Sequence, residues 1–462
     1  MRSLYMALDG RYHLPHAIGG VRRRRSSLLT LQFAFYKPHQ TKFLTMTQDN
    51  QRVLIIGGGI GGLCLAEGLK RQGIPFTVFE RDPSVTFRSQ GFRLRIDNDG
   101  YNALEACLST QALNVFTKTT AEFVPGFRFV DAKTAEPSAP RAQGRPQGGP
   151  EVRGPPRGDG AKVFSADRLV LRSVLLLGLT EDELRYNMAF KSYTTLENGL
   201  VEAEFENGER VTGGLLVGAE GTYSRVRRQY LPNATQLLDT DGRAIYGKTP
   251  LTPELEAALH PSLLRGTSLI TNLDPHVSLF METMRFTQGN PHDVNSELPD
   301  TNDYVYWVLI SRSHNFRIGG YTNDEELLAL KPPQAAALAR EVTKDWDSHI
   351  QALFRDDLVG NGCSYIRVST MSPDIKDWDA SNVTLMGDAI HAMTPAGVGA
   401  NAALMDAHVL LNSIQTHGVS VQAVAAYEAE MRVYARDFVA KTAGAGHKMY
   451  GQPGFQDMKP LN

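Results

Sequence analysis

Covalent and metal-based stabilisation have little to work with in this sequence. Its three cysteines, Cys64, Cys107 and Cys363, stand far apart, and no C-x-x-C occurs. That usage argues against a disulfide framework, a thiol-exchange centre or a zinc set, and it fits a reducing, cytoplasmic compartment. No run of about 18 apolar residues is present to cross a bilayer. An excess of one charge is missing too. A net charge of −2 with 21% charged residues gives no electrostatic reason to expect a nucleic-acid partner. At 462 residues the chain can bury a large core and should form two domains, or one domain with a large insert.

Two segments lack apolar periodicity. Residues 1–45 carry Arg22 to Arg25 in a row and a single acid, Asp9. They read as an unstructured extension, with an organellar transit peptide as the alternative. Met46 stands where a dinucleotide-binding chain would naturally begin. Residues 137–160 are rich in Pro, Gly and Arg and nearly free of apolar side chains, which predicts a disordered loop rather than a nucleic-acid tail. The flanks of that loop, residues 127–134 and 161–168, read as strand edges that would pair with each other. Both segments are expected to be dispensable.

What is present centres on Val53 to Gly62, VLIIGGGIGG. Four apolar residues predict a buried parallel strand, and Gly57, Gly59 and Gly62 supply G-x-G-x-x-G at the strand-to-helix turn. The first glycine permits the tight turn, the second lets a pyrophosphate approach the backbone, and the third lets helix and strand pack closely. A helix follows to about Gln72, capped by Gly73. A second strand, Phe76 to Phe79, ends in Glu80, close to the spacing of about 20 residues for a carboxylate that binds ribose hydroxyls. The set predicts a dinucleotide site.

Further along, Phe92 to Ile96 alternates like a half-buried strand. Its Arg93 and Arg95, with Arg88, either line a cleft or form a solvated edge. Asp167 to Leu179 predicts an amphipathic helix with Arg168 at its start, an unfavourable place for a cation unless a polar ligand lies there. A hairpin is expected at 191–196 and 201–205 around Asn198-Gly199. From about Thr240 to Thr370 the pattern suggests an antiparallel sheet, with Tyr304, Tyr306 and Trp307 in its core. Val383 to Met386 then forms a strand ended by Gly387-Asp388, and a glycine-punctuated segment, 396–401, opens a helix near Asn401. His391 reads as fixing that turn. Residues 423–450 read as a long C-terminal helix.

Three separated motifs together resemble the class A flavoprotein monooxygenases of the para-hydroxybenzoate hydroxylase type. They are the Gly57–Gly62 turn with Glu80, then Gly218-Ala219-Glu220-Gly221 with Ser224 and Val226-Arg227, and finally Gly387-Asp388 with His391, Pro395, Gly399 and Asn401. Arg168 matches the first arginine of that family's R-x-x-L-R helix. The resemblance covers about residues 50–450. It implies an α/β fold: a Rossmann-like FAD-binding domain from 46–240 and 371–450, an inserted antiparallel-sheet substrate domain from 241–370, and the long C-terminal helix.

The cofactor contacts it implies are Gly57, Gly59, Gly62, Glu80, Gly91, Arg168, Asp388, Val398, Gly399 and Ala400, with Gly91 close to the isoalloxazine side. No catalytic side chain and no metal is implied. FAD would be held noncovalently and reduced by NAD(P)H, and a flavin C4a-hydroperoxide would hydroxylate an aromatic or polyketide-like small molecule. No second G-x-G-x-x-G in strand–turn–helix context exists, so the nicotinamide would bind transiently, unlike in Baeyer–Villiger monooxygenases or disulfide reductases. An epoxidase or isoprenoid reductase of the same fold competes with this reading, as does a flavin-binding protein without turnover. Two departures stand out. Glu220 replaces the family's usual Asp, and the loop from Pro395 to Gly399 is one residue short. No carboxylate- or phenol-binding set identifies the substrate.

Overall fold

An apolar run with no polar alternation must be covered on both faces, and Val53–Ile56 (β1) is wholly buried. It is the middle strand of a five-stranded sheet whose pairings are all parallel. Phe76–Phe79 (β2) and the short Leu184–Arg185 (β6) lie on one side of it, and Leu215–Gly218 (β10) and Val383–Leu385 (β16) on the other. Helix Ile60–Arg71 (α1) packs over this sheet with Leu63, Leu65, Ala66 and Leu69 buried. The computed structural model describes residues 48–87, 92–138, 162–233, 235–355 and 362–461. The expectations for residues 1–45, Arg88, Gly91 and nearly all of 137–160 therefore fall outside the described residues.

The larger sheet is built from Leu237–Pro250 (β11), Thr267–Leu273 (β12), His276–Met284 (β13), Tyr304–Arg312 (β14) and Ser364–Met371 (β15). These pair antiparallel, as expected. Two strands come from outside that stretch. Phe127–Asp131 (β4) joins β12 in parallel, and Lys459–Leu461 (β17) pairs with β11. The sheet is thus mixed at one edge. The flanks of the Pro/Gly/Arg-rich loop do not pair with each other, because each finds a better partner. β4 extends the large sheet, whereas Phe164–Asp167 (β5) runs antiparallel to Arg93–Ile96 (β3), burying Ser165, Ala166 and Asp167.

Side chains along a strand alternate between faces. In the large sheet Ile245, Leu279, Met281, Val305, Trp307 and Leu309 share one buried cluster with helix Pro332–Thr343. Tyr304, Tyr306 and Val308 belong to a different cluster, together with Met284, Ala244 and the half-buried Phe92, Tyr246 and Phe280.

The expected helix from Asp167 to Leu179 is shorter. Asp167 closes β5, and its Oδ1 accepts from the N–H groups of Leu169 (2.8 Å) and Val170 (3.2 Å), so the helix (α2) starts at Arg168 and ends at Val174. Gly178, at φ +85°, lies beyond its end. The hairpin forms as Phe190–Thr195 (β7) and Val201–Phe205 (β8), extended by Arg210–Gly213 (β9). Helix Arg225–Tyr230 (α3) follows β10. Gly399–His417 (α4) and the long Val421–Tyr450 (α5) close the described chain before β17. Among the described residues no helix is long and apolar enough to cross a membrane.

Candidate active site

The glycine turn is sterically committed. Gly57 has φ +112°, and a Cβ there would lie 2.4 Å from the Ala219 carbonyl oxygen. Gly62 packs instead of facing the site, since its Cβ would meet the Gly57 carbonyl oxygen at 2.3 Å. Gly59 caps α1 with open space where a side chain would stand and no side-chain cap. The first N–H groups of α1 thus have no side-chain acceptor, and an anionic ligand satisfies such groups well.

Glu80 is held from three sides. Its carboxylate accepts from the Gly58 N–H (3.0 Å), the Asp82 N–H (3.0 Å) and Arg172 Nη2 (3.3 Å), while Arg172 Nε donates to the Gly58 carbonyl oxygen at 2.9 Å. A 380 Å³ cavity is lined by Gly57, Gly59, Glu80, Arg168, Arg172 and Glu220, among others. Arg172 was not expected at the site. Its signal was the spacing of four from Arg168, which puts both arginines on one helix face. A larger cavity of 670 Å³, beside Arg227, Met371 and Ile390, shares only Tyr223 and Arg228 with the first. Size does not decide between them, because the anion-binding turn and the buried carboxylate belong to the smaller one.

Glu220 shows how the extra methylene is used. Its carboxylate accepts from Ser224 Oγ (2.5 Å) and from the N–H groups of Arg225 (2.8 Å) and Val226 (3.2 Å), capping α3 from across the turn. Burial raises its pKa against those donors.

Asp388 opens the short helix Asp388–His391, after Gly387 at φ +59°. Its side chain is solvent-exposed, yet the surrounding protein desolvates it and raises its pKa, with His391 and Arg168 pulling the other way. A Cβ on Gly399 would stand 3.9 Å from Asp388 Oδ1, so the carboxylate lies at the N-terminus of α4, whose N-cap Val398 gives no side-chain bond. Asn401 fastens that end through the Arg95 and Gly397 carbonyl oxygens (2.9 and 3.2 Å) and the Asp97 N–H (3.1 Å). Asp388, Val398, Gly399 and Ala400 do not line the 380 Å³ cavity but cluster at this second helix end.

His391 is fully buried, with Nε2 2.7 Å from Asp406 Oδ2. Burial pulls its pKa down, but Asp406 outweighs burial and the net shift is upward. Asp406 also accepts from the Gly387 N–H (2.6 Å) and from Tyr434. It therefore anchors the turn that presents Asp388, which agrees with the structural role expected for His391. A lone acid in the apolar run ALMDAHVLL was its sequence signal.

Where β3 and β5 meet the large sheet lie ion pairs that local sequence did not reveal. Arg93 Nη2 stands 2.6 Å from Glu282 Oε2, each side chain only 5% exposed, so Arg93 is no solvated edge residue. Glu282 also accepts from Ser165 Oγ (2.5 Å) and Thr267 Oγ1 (2.8 Å). Lys248 Nζ is 2.5 Å from Asp167 Oδ2, which Tyr304 also donates to at 2.8 Å.

Two uncapped helix ends, a buried carboxylate beside a glycine turn and paired arginines form a donor set suited to an anionic dinucleotide. Residues 55–113 match the NAD(P)-binding Rossmann-like domain and residues 278–442 the FAD binding domain. A dual O-methyltransferase/FAD-dependent monooxygenase of Cercospora beticola is 34% identical over 430 residues, 89% of this chain and 48% of the relative. The chain thus spans about half the length of the first curated relatives it matches. An FAD-dependent monooxygenase of Emericella nidulans is 28% identical over 80% of this chain and 88% of its own. Among solved structures, a Photorhabdus luminescens protein assigned as an FAD containing monooxygenase aligns at TM-score 0.69 and 27% identity, covering 86% of this chain and 98% of that one. Motifs, fold, domain matches and relatives together support the class A FAD-dependent monooxygenase family for this chain.

Proposed function

We propose that this protein hydroxylates an aromatic or polyketide-like small molecule, using noncovalently held FAD, dioxygen and NAD(P)H as a transient electron donor. When bound, FAD supplies the redox chemistry. The protein's own task is to bind, orient and exclude water. The Gly57–Gly59 turn with the first N–H groups of α1 would take the pyrophosphate, Glu80 the ribose, and Asp388 with the Gly399–Ala400 backbone the far end of the cofactor. Residues 46–240 and 371–450 would serve the cofactor and 241–370 the substrate.

The observation that carries this reading is the position of Asp388. Its carboxylate stands 3.9 Å from where a Cβ on Gly399 would lie, at the N-terminus of α4, which Asn401 ties to the Arg95 carbonyl oxygen of β3, while Phe92 just before β3 meets Tyr246 at 5.1 Å. The helix end that bears this carboxylate is thus joined through β3 to an aromatic surface, as transfer from a flavin to a ring requires. The Cercospora relative is named as both methyltransferase and monooxygenase, and a phenol made by hydroxylation is what an O-methyltransferase would consume. Three free, buried cysteines fit a reducing, cytoplasmic setting.

The test is a product assay with the full chain, NADPH or NADH, and a panel of polycyclic phenols. The expected result is NAD(P)H oxidation stimulated by a panel member, with a product one oxygen heavier. Reduction of a double bond, an epoxide product, or no oxidation with any member would overturn the reading.

A further inference from the structure

The aromatic face of the large sheet holds hydroxyl groups that the protein leaves unused. Tyr306 is 7% exposed and Tyr246 is half-buried, yet neither hydroxyl has a hydrogen-bond partner among the described residues. Neighbouring tyrosines do. Tyr304 donates to Asp167 at 2.8 Å, Tyr450 to Gln452 at 2.6 Å, and Tyr427 to the Leu385 carbonyl oxygen at 2.9 Å. Neither hydroxyl is sealed off from solvent, so each can offer its donor to a molecule that enters from that side. Two open hydroxyls on one aromatic face therefore point to a partner that binds there.

The surroundings give that partner's chemistry. Lys248 sits directly opposite Tyr306 in the β11–β14 register, and its ammonium lies 4.1 Å from the Tyr304 ring centroid. Asp167 takes one of its donors at 2.5 Å, and the side chain keeps 26% exposure, so further donors remain. Around these groups the Tyr246 and Tyr306 centroids are 6.4 Å apart, Phe280 and Tyr306 6.0 Å, and Phe92 and Tyr246 5.1 Å. Flat apolar walls with three donors accept a flat ring that carries oxygen. Phe92, whose ring meets Tyr246, leads directly into β3, and the Arg95 carbonyl oxygen of β3 accepts from Asn401 at the N-terminus of α4, so this face continues to the end where Asp388 stands.

We propose that Tyr246, Tyr306 and Lys248 form the subsite that recognises oxygen substituents of a polycyclic aromatic substrate, and so set its specificity. The proposal rests on the hydroxylase reading above. Lys248 is the charged anchor, held in place by Asp167, and the two tyrosines supply neutral donors.

The test uses the FAD-loaded full chain, with a dihydroxynaphthalene and unsubstituted naphthalene as probes in equilibrium dialysis. The native protein should bind the diol in preference to naphthalene. Tyr246→Phe and Tyr306→Phe should each weaken the diol about fivefold or more, the size of one net hydrogen bond, while naphthalene binding stays within about twofold. Neither variant loses an internal hydrogen bond, so each should melt no lower than native. Lys248→Met should weaken the diol more than either tyrosine variant, and Lys248→Arg should recover part of that loss. Equal binding of diol and naphthalene by the native protein, unchanged diol binding in the variants, or lowered melting of the tyrosine variants would each overturn the subsite. A protein that carries no FAD would overturn the functional reading instead, so the two failures are distinguishable.

Discussion

The two faces of the large sheet are made by the same five long strands and differ in almost everything else. On one, Ile245, Leu279, Val305, Trp307 and Leu309 lock against helix Pro332–Thr343, and Trp307 Nε1 donates to Thr249 Oγ1 at 2.9 Å. On the other, Tyr246, Lys248, Tyr304, Tyr306 and Glu282 bring hydroxyls and charges to a face that meets β3 and β5 through Arg93 and Asp167. Alternation at period two lets one set of strands hold both. The apolar face stabilises the sheet, which allows the other to keep polar groups that cost stability and serve binding.

Breaking the apolar face should have the largest effect. Trp307 is fully buried and meets Phe354 edge-on at 4.9 Å between centroids, so Trp307→Ala should cost about 3–5 kcal/mol. Denaturant unfolding measures this, and FAD affinity of the folded fraction should be unchanged.

On the polar face Arg93→Met strands a buried carboxylate and should cost about 3 kcal/mol. Pairing it with Glu282→Leu should recover part of that loss in a double-mutant cycle. If the double variant is as unstable as the sum of the singles, the pair is not coupled.

Away from the sheet, Glu80→Ala should leave the fold in place and weaken FAD by roughly 1.5–3 kcal/mol, as for a hydrogen bond to a charged group. Fluorescence titration of the stripped protein with FAD reads it directly. Unchanged affinity would leave Glu80 with only its internal donors.

The smallest stability effect belongs to Asp388→Asn. Desolvation by the surrounding protein raises the Asp388 pKa, so the folded state holds that proton more tightly than the unfolded chain. Stability is therefore lost as pH rises from the ordinary carboxylate value through the raised one. The Asn variant should melt at or slightly above native near neutral pH, yet retain FAD less well or be reduced more slowly. Unchanged FAD affinity and reduction would reduce Asp388 to a structural role.

The features that could be read from sequence were local. The Gly57–Gly62 turn, its flanking strands and the long Val421–Tyr450 helix each declare themselves within a short window, through sterics or periodicity. What failed was long-range. β4 and β5 look alike as edges of one loop, but β4 pairs with β12, far along the chain, and β5 with β3. Lys248, Asp167 and Tyr304 meet only after three elements have packed, so no spacing betrays them. Arg172 and Asp406 lay between these cases, each marked by a charge recurring or isolated on a helix.

The most direct measurement of the central claim is the source of the oxygen in the product. With the full chain, FAD, NAD(P)H and a polycyclic phenol that stimulates oxidation, the reaction is run under isotopically heavy dioxygen in ordinary water. The account predicts a product carrying a single heavy oxygen atom on the ring. Oxygen drawn from water, or NAD(P)H oxidation that leaves every ring unchanged, would contradict it.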